Sequence, residues 1–214
     1  MDTKKSQNNN LLIFLGSLFS VGLIISNLIS GKLYLSPIGI VLPAGVFLFP
    51  IVYIIGDIIP EVYGLKTSRK IIFMGFALNL FAVLFFMITL KLPYPNFWTS
   101  QSEYQTVLGF APRLLIASFI AFLAGSNMNA HILILLKKYT RGKFLWIRTI
   151  GSTIAGEFLD SFLFIFIAFF GTTPNYDLFQ IVLAQASFKI IYETLATPFT
   201  YLIINYIKRI ENIQ

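Results

Sequence analysis

Three pairs of ionisable residues stand inside long apolar runs: Asp57 with Glu61, Glu157 with Asp160, and Lys189 with Glu193. Spacings of three or four put the members of each pair on one face of a helix. A charge at membrane depth costs several kcal/mol by insertion scales unless it is paired or wetted, so such residues mark a solute or ion path by default. For Lys189 and Glu193 the simplest arrangement is an intrahelical ion pair that lowers the insertion cost of both. Asp57 and Glu61 flank Pro60 near the end of their run, where interfacial hydration is the plain alternative to a role in a site. Glu157 and Asp160 have no lysine within one turn, so they must meet a cation, a donor on a substrate, or a proton. Asn27 and Lys32 add a polar patch at the end of the first run, and Asn127, Asn129 and the sole histidine, His131, add one in the fourth. For these last three residues, bridging between helices or core packing is the plainer reading.

Membrane helices are the elements that must hold these groups. Of 214 residues, 57% are hydrophobic and 12% charged, against roughly 25% charged in soluble domains, and the mean hydropathy is +0.78. At about 20 residues per crossing, that apolar content suffices for six spans, and six runs can be read: 11–29, 38–59, 71–90, 114–136, 149–170 and 179–207. A polar, aromatic loop between the third and fourth is expected to hold a short interfacial helix near 100–109. The first run lacks an A-x-A type cleavage site and reads as a signal anchor. The expected organisation is a mobile polar tail over 1–10, a single transmembrane domain over 11–207 and a cytoplasmic tail over 208–214. The second run carries Gly39, Pro43, Gly45, Pro50, Gly56 and Pro60, and helices broken in this way are tolerated where they wall a cavity. The strings GDIIPE at Gly56 and GEFLD at Gly156 hint at two inverted halves of three helices each.

Composition also excludes whole classes of function. No GxxxxGK[ST] loop or GxGxxG fingerprint occurs and no soluble domain interrupts the runs, so this one chain is not itself an ATP-driven pump. With no cysteine and one histidine, thiolate catalysis and Cys- or His-rich metal sites are ruled out, and no cofactor is expected. The net charge of +7 does not call for nucleic acid. In the six-span arrangement 12 Lys and Arg (Lys4, Lys5, Lys66, Arg69, Lys70, Lys137, Lys138, Arg141, Lys143, Arg148, Lys208 and Arg209) fall on one side, against three (Lys32, Lys91 and Arg113) on the other. By the positive-inside rule both termini are then cytoplasmic.

Three segments carry a resemblance: FPIVYIIGDIIPEVYG at 49–64, WIRTIGSTIAGEFLDSFLFIFIAFFG at 146–171 and FKIIYETLATPFTYLIINYIKR at 188–209. In this order they resemble the queuosine precursor transporter family, also grouped with vitamin uptake transporters, and NLISGKLY at 27–34 fits the end of that family's first helix. The resemblance runs over nearly the whole chain after the first ten residues. It implies an all-α, six-span protein of the bacterial cytoplasmic (inner) membrane, similar in fold to the substrate-binding subunits of energy-coupling-factor transporters. The implied cargo is a 7-deazaguanine: 7-cyano-7-deazaguanine, 7-aminomethyl-7-deazaguanine or queuine. Carried over position by position, the implied site is Asn27, Lys32, Asp57, Glu61, Arg148, Glu157, Asp160, Lys189 and Glu193. The segment SNMNAH fits the family pattern less well, and Asn127 joins the candidates on its polarity alone.

Chemistry independent of the resemblance agrees with it. A carboxylate accepts the N1–H and 2-amino group of a deazaguanine as two parallel charge-assisted hydrogen bonds. Lys189, Lys32 or an amide could donate to the 6-oxo group, and an aromatic face stacked on the ring contributes about 1–3 kcal/mol in nucleic-acid sites. Phe162, Phe164 and Tyr192 are candidates for that face because they neighbour the acids. The first hypothesis is a secondary importer with a proton as the candidate coupling species. The alternative is the substrate-binding subunit of a transporter energised by separate ATPase chains. A lipid-bilayer enzyme ranks last, for want of HExxH, GxSxG or a magnesium-holding acidic motif. Association into a homo-oligomer stays open.

Overall fold

Inside a bilayer the backbone must satisfy its own hydrogen bonds, so apolar runs of this length become helices. The structure, a computed structural model, describes residues 2–140 and 145–211, with side chains described for 10–140 and 150–210. Helix α1 (Asp2–Ser30) leads into a two-stranded antiparallel hairpin, β1 (Leu33–Leu35) against β2 (Val41–Pro43), in which Leu33 pairs with Pro43. A 3-10 turn (Ala44–Phe47) follows, then α2 (Phe49–Tyr63), α3 (Leu65–Lys91), the short α4 (Gln101–Leu108), α5 (Ala111–Tyr139), α6 (Leu145–Phe169) and α7 (Asn175–Glu211).

The second run therefore differs from its expected shape. Residues 38–48 are a hairpin and a tight turn, not helix. Gly39 adopts φ 79°, a left-handed conformation that turns the chain cheaply only in glycine. Pro43, extended at φ −64° and ψ 139°, has no amide hydrogen to continue a helix and instead precedes the 3-10 turn. What remains, α2, has 15 residues, about 22 Å at 1.5 Å per residue, and falls short of the roughly 30 Å hydrocarbon layer. Four segments of the described chain are long and apolar enough to cross a membrane: Asn10–Ser30, Leu65–Lys91, Gln101–Tyr139 (which takes in α4 and α5) and Ile150–Phe169. Helix α7, at 37 residues, has the length but not the hydropathy, because Gln185, Lys189 and Glu193 interrupt its apolar surface. The two helices outside this set, α2 by its length and α7 by its polarity, are the two that carry Asp57 and Lys189. The short helix expected near 100–109 is α4.

Small residues set the closest helix contact. On α5, Ala117, Ala121 and Gly125 recur at intervals of four, the spacing that lets membrane helices approach backbone to backbone. A Cβ added at Gly125 would stand 2.8 Å from Asp160 Cβ and 3.0 Å from the Gly156 carbonyl. One added at Gly156 would stand 2.9 Å from Asn129 Cβ and 3.0 Å from the Gly125 carbonyl. At one end of this pair Arg113 donates from Nε to the Ile167 carbonyl at 2.6 Å and from its terminal nitrogen to the Phe170 carbonyl. A cation is thereby placed on the last carbonyls of α6, where the helix dipole favours it.

Two apolar clusters close the bundle at different depths. Leu114, Ala117, Ala121, Phe164, Ile165, Leu178 and Ile181 join α5, α6 and α7 towards one end. Leu15, Phe19, Ile55, Ile59, Val62, Ile71, Ile204 and Ile207 join α1, α2, α3 and α7 towards the other. The polar faces of the helices meet between them.

Candidate functional site

Each helix contributes one stripe of the wall. Phe49, Tyr53 and Asp57 follow one another at intervals of four on α2, as do Gln185, Lys189 and Glu193 on α7, so each trio faces one way. From α6 come Glu157, Asp160 and Phe164; from α5, Ser118, Phe122, Ser126 and Asn129; from α1, Ser26 and Asn27. Together they enclose a cavity of about 310 Å³. A side pocket of about 90 Å³ is lined by Gly125, Gly156 and Thr153 together with Glu157, Asp160 and Glu193. The Gly125–Gly156 approach thus also fixes where Asp160 enters the cavity wall.

Lys189 is the electrostatic centre. Only 4% exposed, its Nζ pairs with Asp160 Oδ2 and lies 3.3 Å from Glu157 Oε2, and both acids are 17% exposed. The ammonium also stands 5.1 Å from the centre of the Phe49 ring and 5.6 Å from that of Tyr53, within range of cation–π attraction. Tyr53 Oη donates to Glu157 Oε2 at 3.4 Å. Glu193 does not take the lysine: Thr153 Oγ1 donates to its Oε1 at 3.5 Å. The expected intrahelical pair is therefore replaced by an interhelical one. By reaching across to α6, Lys189 meets two carboxylates where its own helix offers one, and the cation that Glu157 and Asp160 require is supplied by α7.

The charge inventory is lopsided. Among the described residues that line the cavity, Asp57, Glu157, Asp160 and Glu193 face a single cation, Lys189. Neither Asp57 nor Glu193 has a cation within ion-pairing distance among the described residues. No group of three or more His, Cys, Asp or Glu among the described residues is arranged to hold a metal ion. Such a cavity can accept hydrogen-bond donors, a positively charged group or protons. Asn27, buried at 6%, belongs to its wall and donates from Nδ2 to Ser118 Oγ at 2.9 Å.

Other residues singled out in the sequence lie elsewhere. Glu61 is exposed and pairs with Lys208 of α7 at 2.7 Å; it lies in the last turn of α2, one turn beyond Asp57. Lys32, just beyond α1, is exposed and lines a separate groove with Phe47, Phe110 and Thr173. Asn127 and His131 are exposed on the outer face of α5, where His131 Nδ1 lies 2.8 Å from the Asn127 carbonyl. Their neighbour Asn129, two positions from each, turns inward. Arg148 lies outside the residues whose side chains are described. Of the three aromatic candidates, Phe164 lines the cavity, whereas Phe162 packs on Phe166 and Tyr192 stacks on Phe188. Reading the sequence missed Phe49, Tyr53 and Gln185. The available signal was spacing: Tyr53 and Gln185 each precede an inward charged residue by four.

Comparisons with known proteins bear on what this cavity serves. No solved structure matches the chain. A protein of Bacillus subtilis (strain 168) named probable queuosine precursor transporter is 26% identical over 165 residues, covering 76% of this chain and 72% of its own. The queuosine precursor transporter of Escherichia coli (strain K12) is 27% identical over 182 residues, covering 84% of this chain and 80% of its own. The model of a family described as putative vitamin uptake transporter matches residues 43–203, a stretch that holds Asp57, Glu157, Asp160, Lys189 and Glu193. This chain belongs to that family of transporters and is not an enzyme.

Proposed function

We propose that the chain imports queuosine precursors, 7-deazaguanine bases, across the bacterial cytoplasmic membrane, and that the central cavity is where the base binds. The observation that carries this reading is the buried Lys189 held between Glu157 and Asp160 in a cavity that also presents Asp57 and Glu193. The names of the relatives in Bacillus subtilis and Escherichia coli support the cargo.

The roles follow from the contacts. Asp160 is oriented by Lys189. Glu157, farther from the ammonium and steadied by Tyr53, offers an ionised acceptor to the N1–H and 2-amino edge of the base, where both donors reach one carboxylate. Lys189 keeps a third proton for the 6-oxo group. Phe49, Phe164 and Phe122 supply apolar faces against which the bicyclic ring stacks. Transport is secondary, and the coupling proton is carried by Asp57 or Glu193, the wall carboxylates with no cation within ion-pairing distance among the described residues.

A host lacking its own importer tests the cargo. Expression of this chain, with each precursor supplied in turn, should restore queuosine in tRNA. Failure with every precursor despite confirmed membrane abundance overturns the assignment. Uptake by the purified chain in liposomes under a pH gradient alone tests the coupling; an absolute need for partner ATPase chains would refute secondary transport.

A further inference from the structure

Among the described residues, Gln185 is the one fully buried amide on the cavity wall whose two polar atoms are both idle. Its side chain is 0% exposed, and neither Nε2 nor Oε1 has a hydrogen-bond partner among those residues. Of the other wall amides, Asn27 already donates to Ser118, which in turn donates to the Leu115 carbonyl at 3.0 Å, and Asn129 leaves only its Oδ1 buried without a partner. A buried donor and acceptor left unmade are expensive, and native proteins supply such groups with a partner, from the fold, a bound water or a ligand. An apolar side chain of the same size would fill the position at lower cost, so packing does not account for a glutamine here.

The position of the amide selects the partner. Gln185 stands four residues before Lys189 on the same face of α7, about 6 Å along the helix, a distance comparable with the width of a bicyclic base. With the N1–H and 2-amino edge on Glu157 and the 6-oxo group at Lys189, the edge left over is the ring N3 acceptor beside the N9–H donor. A primary amide, with one donor and one acceptor side by side, is the complement of that pair. We propose that Gln185 forms a neutral second subsite that reads the N3/N9–H edge of the cargo and thereby admits free bases while rejecting N9-substituted forms such as nucleosides. This rests on the importer reading given above.

The test uses the full chain in nanodiscs, with 7-cyano-7-deazaguanine and its 9-methyl analogue as probes and equilibrium binding as the readout. The parent should prefer the free base by tenfold or more, since a site built to hydrogen-bond a group discriminates strongly against its absence. Gln185→Leu and Gln185→Met should bind the free base at least tenfold more weakly, and their preference over the 9-methyl probe should shrink to about threefold or less. Size is nearly conserved in both variants, so a steric penalty on the methyl group persists and the change in selectivity reports the amide. Without ligand, both variants should melt at or above the parent's midpoint, because the idle amide is gone. Three results overturn the proposal: unchanged affinity for the free base, an unchanged preference over the 9-methyl probe, or a lower midpoint in both variants, which would make the amide structural. A parent that binds neither probe and imports no precursor refutes the importer reading itself. That outcome is distinct from a parent that binds and imports while Gln185 proves dispensable.

Discussion

Replacing Lys189 with methionine removes the single cation that the described residues place on the cavity wall and leaves Glu157 and Asp160 facing each other without it. At an effective dielectric of about 20, a cation and a carboxylate 3.3 Å apart attract by about 5 kcal/mol, and Asp160 adds to this. Desolvation of the three groups offsets much of that attraction. The loss expected from removing one partner of a buried pair is therefore about 3–5 kcal/mol, most of it the penalty of the stranded carboxylates. Thermal unfolding of the purified protein in detergent, with membrane abundance measured alongside, reads this loss. A second substitution that neutralises a stranded acid should recover much of the stability, so Lys189→Met with Asp160→Asn should melt well above Lys189→Met alone, without regaining transport. Lys189→Met with Glu193→Gln should recover little, because Glu193 is held by Thr153 and not by the lysine. Recovery with Glu193→Gln and none with Asp160→Asn would show that the pair is intrahelical and refute the interhelical geometry. Strictly additive losses in both doubles would refute pairing of either kind.

Glu157→Gln and Asp160→Asn should each impair uptake at normal membrane abundance, and at least one should abolish equilibrium binding of the base; parental behaviour in both would make these acids structural. Gly125→Ala or Gly156→Ala should force α5 and α6 apart, because the new methyl would lie 2.8–2.9 Å from Asp160 Cβ or Asn129 Cβ. A stability loss of about 1–3 kcal/mol with impaired uptake is expected from that overpacking, whereas Gly16→Ala, whose nearest neighbour is an Ile71 methyl at 3.6 Å, should pass unnoticed in the same assays. Glu61→Gln should shift stability by no more than about 1 kcal/mol and leave uptake intact, since its pair with Lys208 is exposed; loss of uptake would bring Glu61 back into the site. A reporter fused after Gln214 that works only in the periplasm should stay silent, and strong activity would refute cytoplasmic termini.

Composition and local spacing were enough to read the membrane character, most of the helices and the residues carrying charge at depth. These are properties of the chain's own neighbourhood: apolar length fixes whether a segment can cross, and intervals of three or four fix which side chains share a face. Asp57, Glu157, Asp160, Lys189 and Glu193 stood out because a charge in an apolar run is costly whatever surrounds it. α4 was legible for the same local reason, as a polar interval between apolar runs.

Tertiary packing decided the partnerships. Sequence spacing offered Lys189 one acid on its own helix, but a flexible four-carbon stem reaches whichever carboxylates the neighbouring helix presents, and α6 presents two. The placement of Glu61 outside the cavity and of Asn129, not Asn127, on its wall came from where α2 ends and how α5 rotates against α6, and neither is encoded in a run of hydrophobicity. The hairpin at 33–43 escaped a reading based on apolar length, since hydropathy does not distinguish a buried helix from a strand and turn of the same residues. Gln185 was invisible for a related reason: a glutamine within a helix has no meaning until its neighbours are known, and only the assembled bundle shows that none of them takes its amide.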